Sequence, residues 1–101
     1  MRVPAYLVVD ARVSDPEGIA RYRELAALAV AQYGGRYLVR GGQVETLEGS
    51  WHPERLVIVE FDSAEAVRRF HDSPEYRAAR DARAGMAVFD MLLAEGLQST
   101  I

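Results

Sequence analysis

Arg55-Leu56-Val57-Ile58-Val59-Glu60-Phe61 is the clearest strand signal in the chain. β-Branched and aromatic residues fill it, and these suit a pleated, half-buried surface. Side chains alternate across a strand, so Val57, Val59 and Phe61 share one face while Leu56, Ile58 and Glu60 share the other. The first face is wholly apolar and belongs under a covering layer. The second mixes aliphatics with a carboxylate.

The flanking sequence supplies that layer. Asp62-Ser63-Ala64-Glu65 reads as a capped helix start, followed by Ala66, Val67 and Phe70 on its buried side. Ser73-Pro74-Glu75 restarts a helical segment that runs to about Ala84, and Gly85 ends it. Met86 to Ala94 is the last strand, with Phe89, Met91 and Leu93 opposing Val88, Asp90 and Leu92. Upstream, Gly49 to Pro53 is a loop carrying Trp51 and His52. Gln43 to Glu48 is expected to extend an irregular strand, and Arg36 to Arg40 forms a strand of its own.

Gly34-Gly35 closes a first helix with Ile19, Tyr22, Ala26, Ala29 and Tyr33 at helical spacing. Ser14-Asp15-Pro16-Glu17 is expected to open that helix, with Asp15 or Ser14 as its cap. Ala5 to Val13 is the first strand, in which Leu7, Val9 and Ala11 oppose Tyr6, Val8 and Asp10.

The order is β-α-β-β-α-β, which predicts an α+β, ferredoxin-like fold. Right-handed crossovers place the first and third strands in the middle of a four-stranded antiparallel sheet, with both helices on one face. Residues 1–96 are read as one domain and residues 97–101 as a C-terminal tail.

The other sheet face carries Val8, Leu56, Ile58, Val88 and Leu92 where a solvated sheet would be polar. Such a patch marks an interface, and a second copy of the same sheet covers it most economically. The expected partner is therefore the chain itself, pairing sheet to sheet in a two-fold homodimer.

Composition excludes several chemistries. The 101 residues contain no cysteine, so disulfides, thiolate metal sites and cysteine nucleophiles are ruled out. All 12 basic residues are arginine, which removes Schiff-base and P-loop lysine chemistry. Net charge is −3, with arginines and acids interspersed, unlike a nucleic-acid binder. The short apolar run in Met1–Val13 soon meets Asp10 and Arg12, reading as neither signal peptide nor membrane span. A cytoplasmic, reducing location fits these features.

Within the mixed face, Asp10, Glu60 and Asp90 fall on three neighbouring strands. Arg40 is the expected cationic partner, with Tyr6 and Tyr37 as nearby hydroxyl donors. Carboxylates in an apolar cleft tend toward raised pKa, as a general acid or base requires. The alternative is that Arg40 and Arg12 simply neutralise them in structural ion pairs. Trp51 packs over either the dimer seam or the pocket mouth. Tyr76 follows a helix start, its ring in the core and its hydroxyl toward the cleft. His52 and His71 lack the spacing of a metal pair, and neither metal nor cofactor is assigned. Ser14, Ser63 and Ser73 read as cap residues.

Three runs together carry a family resemblance: Gly34–Gly42, Leu47–Trp51, and Pro53–Phe61. Ser73-Pro74-Glu75-Tyr76 followed by Arg80 adds to it. The combination resembles family 1330 of the domains of unknown function, over about Tyr6 to Gly96. That family is similar to the dimeric α/β-barrel superfamily, which supports the fold and the dimer without bringing an activity. Its recurrent polar positions correspond to Arg40, Glu60, Tyr76 and Arg80, with Trp51 and the glycine pairs.

Two functions follow. One is a cofactor-independent small-molecule enzyme of isomerase or small-oxygenase type. It would use Glu60 or Asp10 as acid/base and Arg40 to orient an anionic or enol-like ligand, with Tyr6, Tyr37, Trp51, Tyr76, Arg80 and Asp90 around it. The other is a non-catalytic homodimeric binding or structural module whose acids are structural.

Overall fold

A computed structural model describes residues 3–98. The elements are β1 (Ala5–Val13), α1 (Ala20–Gln32), β2 (Arg36–Arg40), β3 (Arg55–Phe61), α2 (Ala64–Asp72), α3 (Pro74–Ala82) and β4 (Ala87–Glu95). The sheet is antiparallel in the order β2-β3-β1-β4, which is the ferredoxin-like arrangement. Ser99–Ile101 of the expected tail lie outside the described residues.

Alternation in β1 fixes the two sides of the sheet. Ala5, Leu7, Val9 and Ala11 are buried, while Tyr6, Val8 and Asp10 are only partly covered. Val59 and Phe61 of β3 join the buried side, and Val57, Phe89, Met91 and Leu93 pack against that core. Ala26, Ala29 and Val30 of α1, Val67 and Phe70 of α2, and Tyr76 and Ala79 of α3 cover it.

The helix ends show how local sequence acts. The second helical region breaks in two at Ser73, so three helices cover the sheet. Ser73 Oγ donates to the Phe70 carbonyl at 2.7 Å, closing α2, and accepts from the Tyr76 N–H at 3.0 Å, opening α3. Pro74, which follows, suits a first helical turn but cannot supply an interior N–H. Ser63 caps α2 by accepting from the Ala66 N–H at 3.1 Å. Gly34 ends α1 in the left-handed conformation, at φ 80°.

Two local expectations are corrected. α1 starts at Ala20, after a turn over residues 16–19, and Ile19 at its N-cap has no side-chain cap. Asp15 Oδ1 instead accepts from the Gly18 N–H at 3.0 Å, and Ser14 Oγ donates to the Met86 carbonyl at 3.0 Å. These bonds hold the loop after β1 against the start of β4 and use up the groups that would have capped the helix. Residues 43–48 are not a strand: they belong to the irregular connection between β2 and β3.

Candidate functional site

The open face of the sheet gathers the predicted carboxylates, and each one has partners. Asp10 and Asp90 sit across from each other in the β1–β4 ladder. Arg12 lies between them, 3.4 Å from Asp10 Oδ2 and 2.9 Å from Asp90 Oδ2. Trp51 Nε1 donates to Asp10 Oδ2 at 3.1 Å. Tyr6 donates to Glu60 Oε2 at 3.2 Å, and Arg36 forms an ion pair with Glu60. Arg12 and Arg36 are both held above the ordinary arginine range, chiefly by their hydrogen bonds to Asp90 and Glu60.

Arg40 is not among these partners. β2 carries a bulge at Leu38: Arg36 pairs with Glu60 and Tyr37 with Val59, but Val39 then pairs with Ile58 and Arg40 with Val57. The extra residue reverses the alternation. Arg36 therefore stays on the open face, while Tyr37 and Arg40 both face the helices. The Arg40 guanidinium lies 4.3 Å from the centre of the Tyr37 ring. The expectation that Arg40 is the cationic partner of these carboxylates is thereby corrected: the bulge places it on the opposite side of the sheet.

That opposite side holds a partly open cavity of about 210 Å³ between the helices and the sheet. Leu7, Val9, Ala26, Val30, Val59 and Phe89 give it an apolar wall. Arg23, Arg40 and Arg55 line it too, as do Tyr22, Tyr37 and Tyr76. The Tyr22 and Tyr76 hydroxyls are 2.9 Å apart. Burial, and then the neighbouring Tyr76, push the Tyr22 hydroxyl far above its ordinary pKa, so it stays protonated. Burial also raises Tyr37. No carboxylate or imidazole lines the cavity.

The remaining predicted residues fall elsewhere. Arg80 does not line the cavity. Its Nη2 lies 3.1 Å from His71 Nε2 and donates to the His71 carbonyl at 3.2 Å. Its guanidinium carbon is 5.4 Å from the Tyr76 ring centre. His52 is exposed, and its Nδ1 meets Thr46 Oγ1 at 3.0 Å within the loop that presents Trp51. Among the described residues no group of three His, Asp or Glu side chains is placed to hold a metal ion.

Of the predicted residues, the structure therefore unites Asp10, Glu60, Tyr6, Asp90 and Trp51 on one face, and Arg40, Tyr37 and Tyr76 on the other side of the sheet. Tyr22, Arg23 and Arg55 had not been singled out as ligand contacts. Two signals in the sequence point to the two arginines. Arg55 shares parity with Val57, Val59 and Phe61. Arg23 follows Ile19 by four residues and precedes Ala26 by three, on the stripe that α1 buries.

This sheet and helix arrangement has close counterparts. The family described as Domain of unknown function, DUF1330, matches residues 4–97. The chain belongs to the DUF1330 family. No curated protein matches it significantly. A protein of unknown function from Rhodopseudomonas palustris shares 20% identity at a TM-score of 0.75, over 98% of this chain and 86% of that one. SnoaB, a cofactor-independent oxygenase from Streptomyces nogalater, shares 14% identity at a TM-score of 0.56, over 99% and 98%. A dimeric ferredoxin-like protein of unknown function from Thermobifida fusca shares 15% identity at 0.53, over 97% and 93%. At these identities the likeness establishes the ferredoxin-like fold and nothing finer.

Proposed function

We propose that this protein is a homodimeric small-molecule-binding domain whose ligand occupies the cavity between the helices and the sheet. The observation that carries the reading is the cavity itself: an apolar space of about 210 Å³, edged by arginines and tyrosine hydroxyls. Small-molecule sites commonly have this form, an apolar wall with a few polar groups to orient the ligand. The ligand is a compact, largely apolar molecule with an enol-like or anionic group facing Arg40.

Catalysis without a cofactor, of isomerase or small-oxygenase type, is the chemistry such a pocket favours. Guanidinium groups and a protonated tyrosine stabilise an enolate oxygen. The fold likeness to SnoaB supports this direction. With every open-face carboxylate partnered by arginine, tyrosine or tryptophan, Asp10, Glu60 and Asp90 serve the sheet and its interface rather than proton transfer. Should the pocket bind without turning a ligand over, the same residues describe a non-catalytic binding module.

Dimerisation through the open face is supported by its apolar content. Val88 is 60% exposed and Leu92 65%, beside the partly covered Val8, Leu56 and Ile58. Asp10 Oδ1 is buried there with no hydrogen-bond donor among the described residues, as suits a group that a facing copy would complete. The dimeric Thermobifida protein points the same way. We place the functional unit in residues 1–96 and its work in the cytoplasm, in keeping with a chain free of cysteine. No described helix is long and apolar enough to cross a membrane.

Titration calorimetry with acetylnaphthalene, a neutral aromatic ketone, tests the cavity. Ala26 is 5% exposed and lines it, so Ala26→Phe fills the space. The wild type is expected to bind the ketone and the Phe variant to lose at least tenfold in affinity. Equal affinity in both would place the ligand elsewhere.

A further inference from the structure

Three cations gather at one end of the cavity. Arg40 ends β2, Arg55 begins β3 and Arg23 stands in the first turn of α1, and all three line the space. The end of β1 meets them there, because Ala11 pairs with Arg55. Arg40 is exposed, whereas Arg23 and Arg55 are partly buried.

Among the described residues, none of the three forms an ion pair, in contrast to Arg12, Arg21, Arg36 and Arg69. Glu54 lies beside Arg55 in an adjoining surface depression, but its charge acts on Arg12. Burial lowers the Arg23 pKa, and the charges of Arg55 and then Arg40 lower it further. Like charges held together without a counter-ion oppose folding. The backbone nonetheless makes room for them. Gly41 has φ 72°, and a Cβ added there would stand 2.7 Å from Arg55 Nε. A side chain at position 41 would thus displace the guanidinium from the cavity edge.

We propose that Arg23, Arg40 and Arg55 form a carboxylate-recognition site, so that the ligand is a small aromatic or alkyl carboxylic acid. Its apolar body fills the cavity and its carboxylate closes the charge cluster. This assignment rests on the cavity being the ligand site. Guanidinium forks match the two oxygens of a carboxylate. A phosphate head is less suited, since phosphate cradles rely on glycine-rich loops at helix N-termini. Here α1 opens with the apolar Ile19, and no such loop motif precedes it.

Titration calorimetry at low salt with naphthoate, acetylnaphthalene and inorganic phosphate tests the site. Naphthoate is expected to bind the wild type at least tenfold more tightly than the nearly isosteric ketone. Arg40→Met, at an exposed position, and Arg23→Met should each lower naphthoate affinity at least tenfold, and by a larger factor than they lower the ketone's. Equal affinity for acid and ketone in the wild type would overturn the carboxylate assignment and leave the cavity reading intact. Ketone binding that survives Ala26→Phe unchanged would bring down the cavity reading, and this assignment with it. Displacement of naphthoate by an equal concentration of inorganic phosphate would also overturn it, making the cluster a phosphate site.

Discussion

Trp51 donates its indole N–H to Asp10, tying the connection between β2 and β3 to the middle of the open sheet face at 3.1 Å. Thr46 braces the same connection by donating to the Trp51 carbonyl at 2.8 Å. Trp51 is 57% exposed, so little packing supplements the bond to Asp10 in positioning its indole. Trp51 is also the only tryptophan, which makes its emission a direct report on the contact. Asp10→Ala should shift that emission to the red and speed protease cleavage between residues 41 and 54. Loss of one hydrogen bond to a charged group costs about 1.5–3 kcal/mol at most. An unchanged spectrum and cleavage rate would show that the indole is held by something else.

The open face predicts its own assembly. Ile58 lies at its centre, across from Val8 on β1 and beside Val39 on β2. Ile58→Arg puts an unpaired charge into a face-to-face contact, a strongly unfavourable change. Native mass spectrometry should find two chains in the wild type and one in the variant. A variant that stays dimeric would mean that another surface pairs.

Tyr76 is 1% exposed and stacks on Phe70 at 4.7 Å, while its hydroxyl meets that of Tyr22. Tyr76→Phe removes only the hydroxyl and should cost about 1 kcal/mol. Tyr76→Ala empties the space between α3 and the sheet and should cost about 3–5 kcal/mol. Urea denaturation separates the two. Equal losses would mean that the ring contributes little and the hydroxyl pair nearly everything.

His71 gives a pH prediction. Burial lowers its pKa, and the Arg80 charge lowers it further. A histidine harder to protonate when folded than when unfolded costs stability as acid is added. Its contribution is complete above the unfolded value of about 6.5 and is lost progressively as pH falls from there toward the lower folded value. Melting temperature should therefore fall below about pH 6.5, and His71→Gln should flatten that slope. Glu75 is lowered too, by its backbone hydrogen bond and by Tyr33, and its stabilisation disappears only at more acid pH. A slope near pH 6 that persists in His71→Gln would assign it to another group.

Most of the fold was legible because periodicity carries it. Alternation in Arg55–Phe61, Ala5–Val13 and Met86–Ala94 identified the buried set that the sheet uses, down to Leu7, Val59 and Phe89. What was illegible depends on single-residue events. A bulge at Leu38 leaves no mark in a strand of five residues, yet it reverses the side on which Arg40 projects. The start of α1 slid to Ala20 because Ser14 and Asp15 satisfy other partners. The open-face carboxylates were found by parity. Their pairing with Arg36, Arg12 and Trp51 depended on contacts between distant segments that no local pattern records. The cavity was missed for the same reason: its wall is shared by all four strands and all three helices.

Methyl-detected NMR during titration with naphthoate tests the central claim most directly, because the two sides of the sheet carry different methyl groups. Binding in the cavity should shift Val9, Ala26, Val30 and Val59 and leave Val8, Leu56, Ile58 and Leu92 in place. Shifts confined to Val8, Leu56, Ile58 and Leu92 would contradict the claim, moving the ligand to the open face and returning Asp10 and Glu60 to the centre of its chemistry.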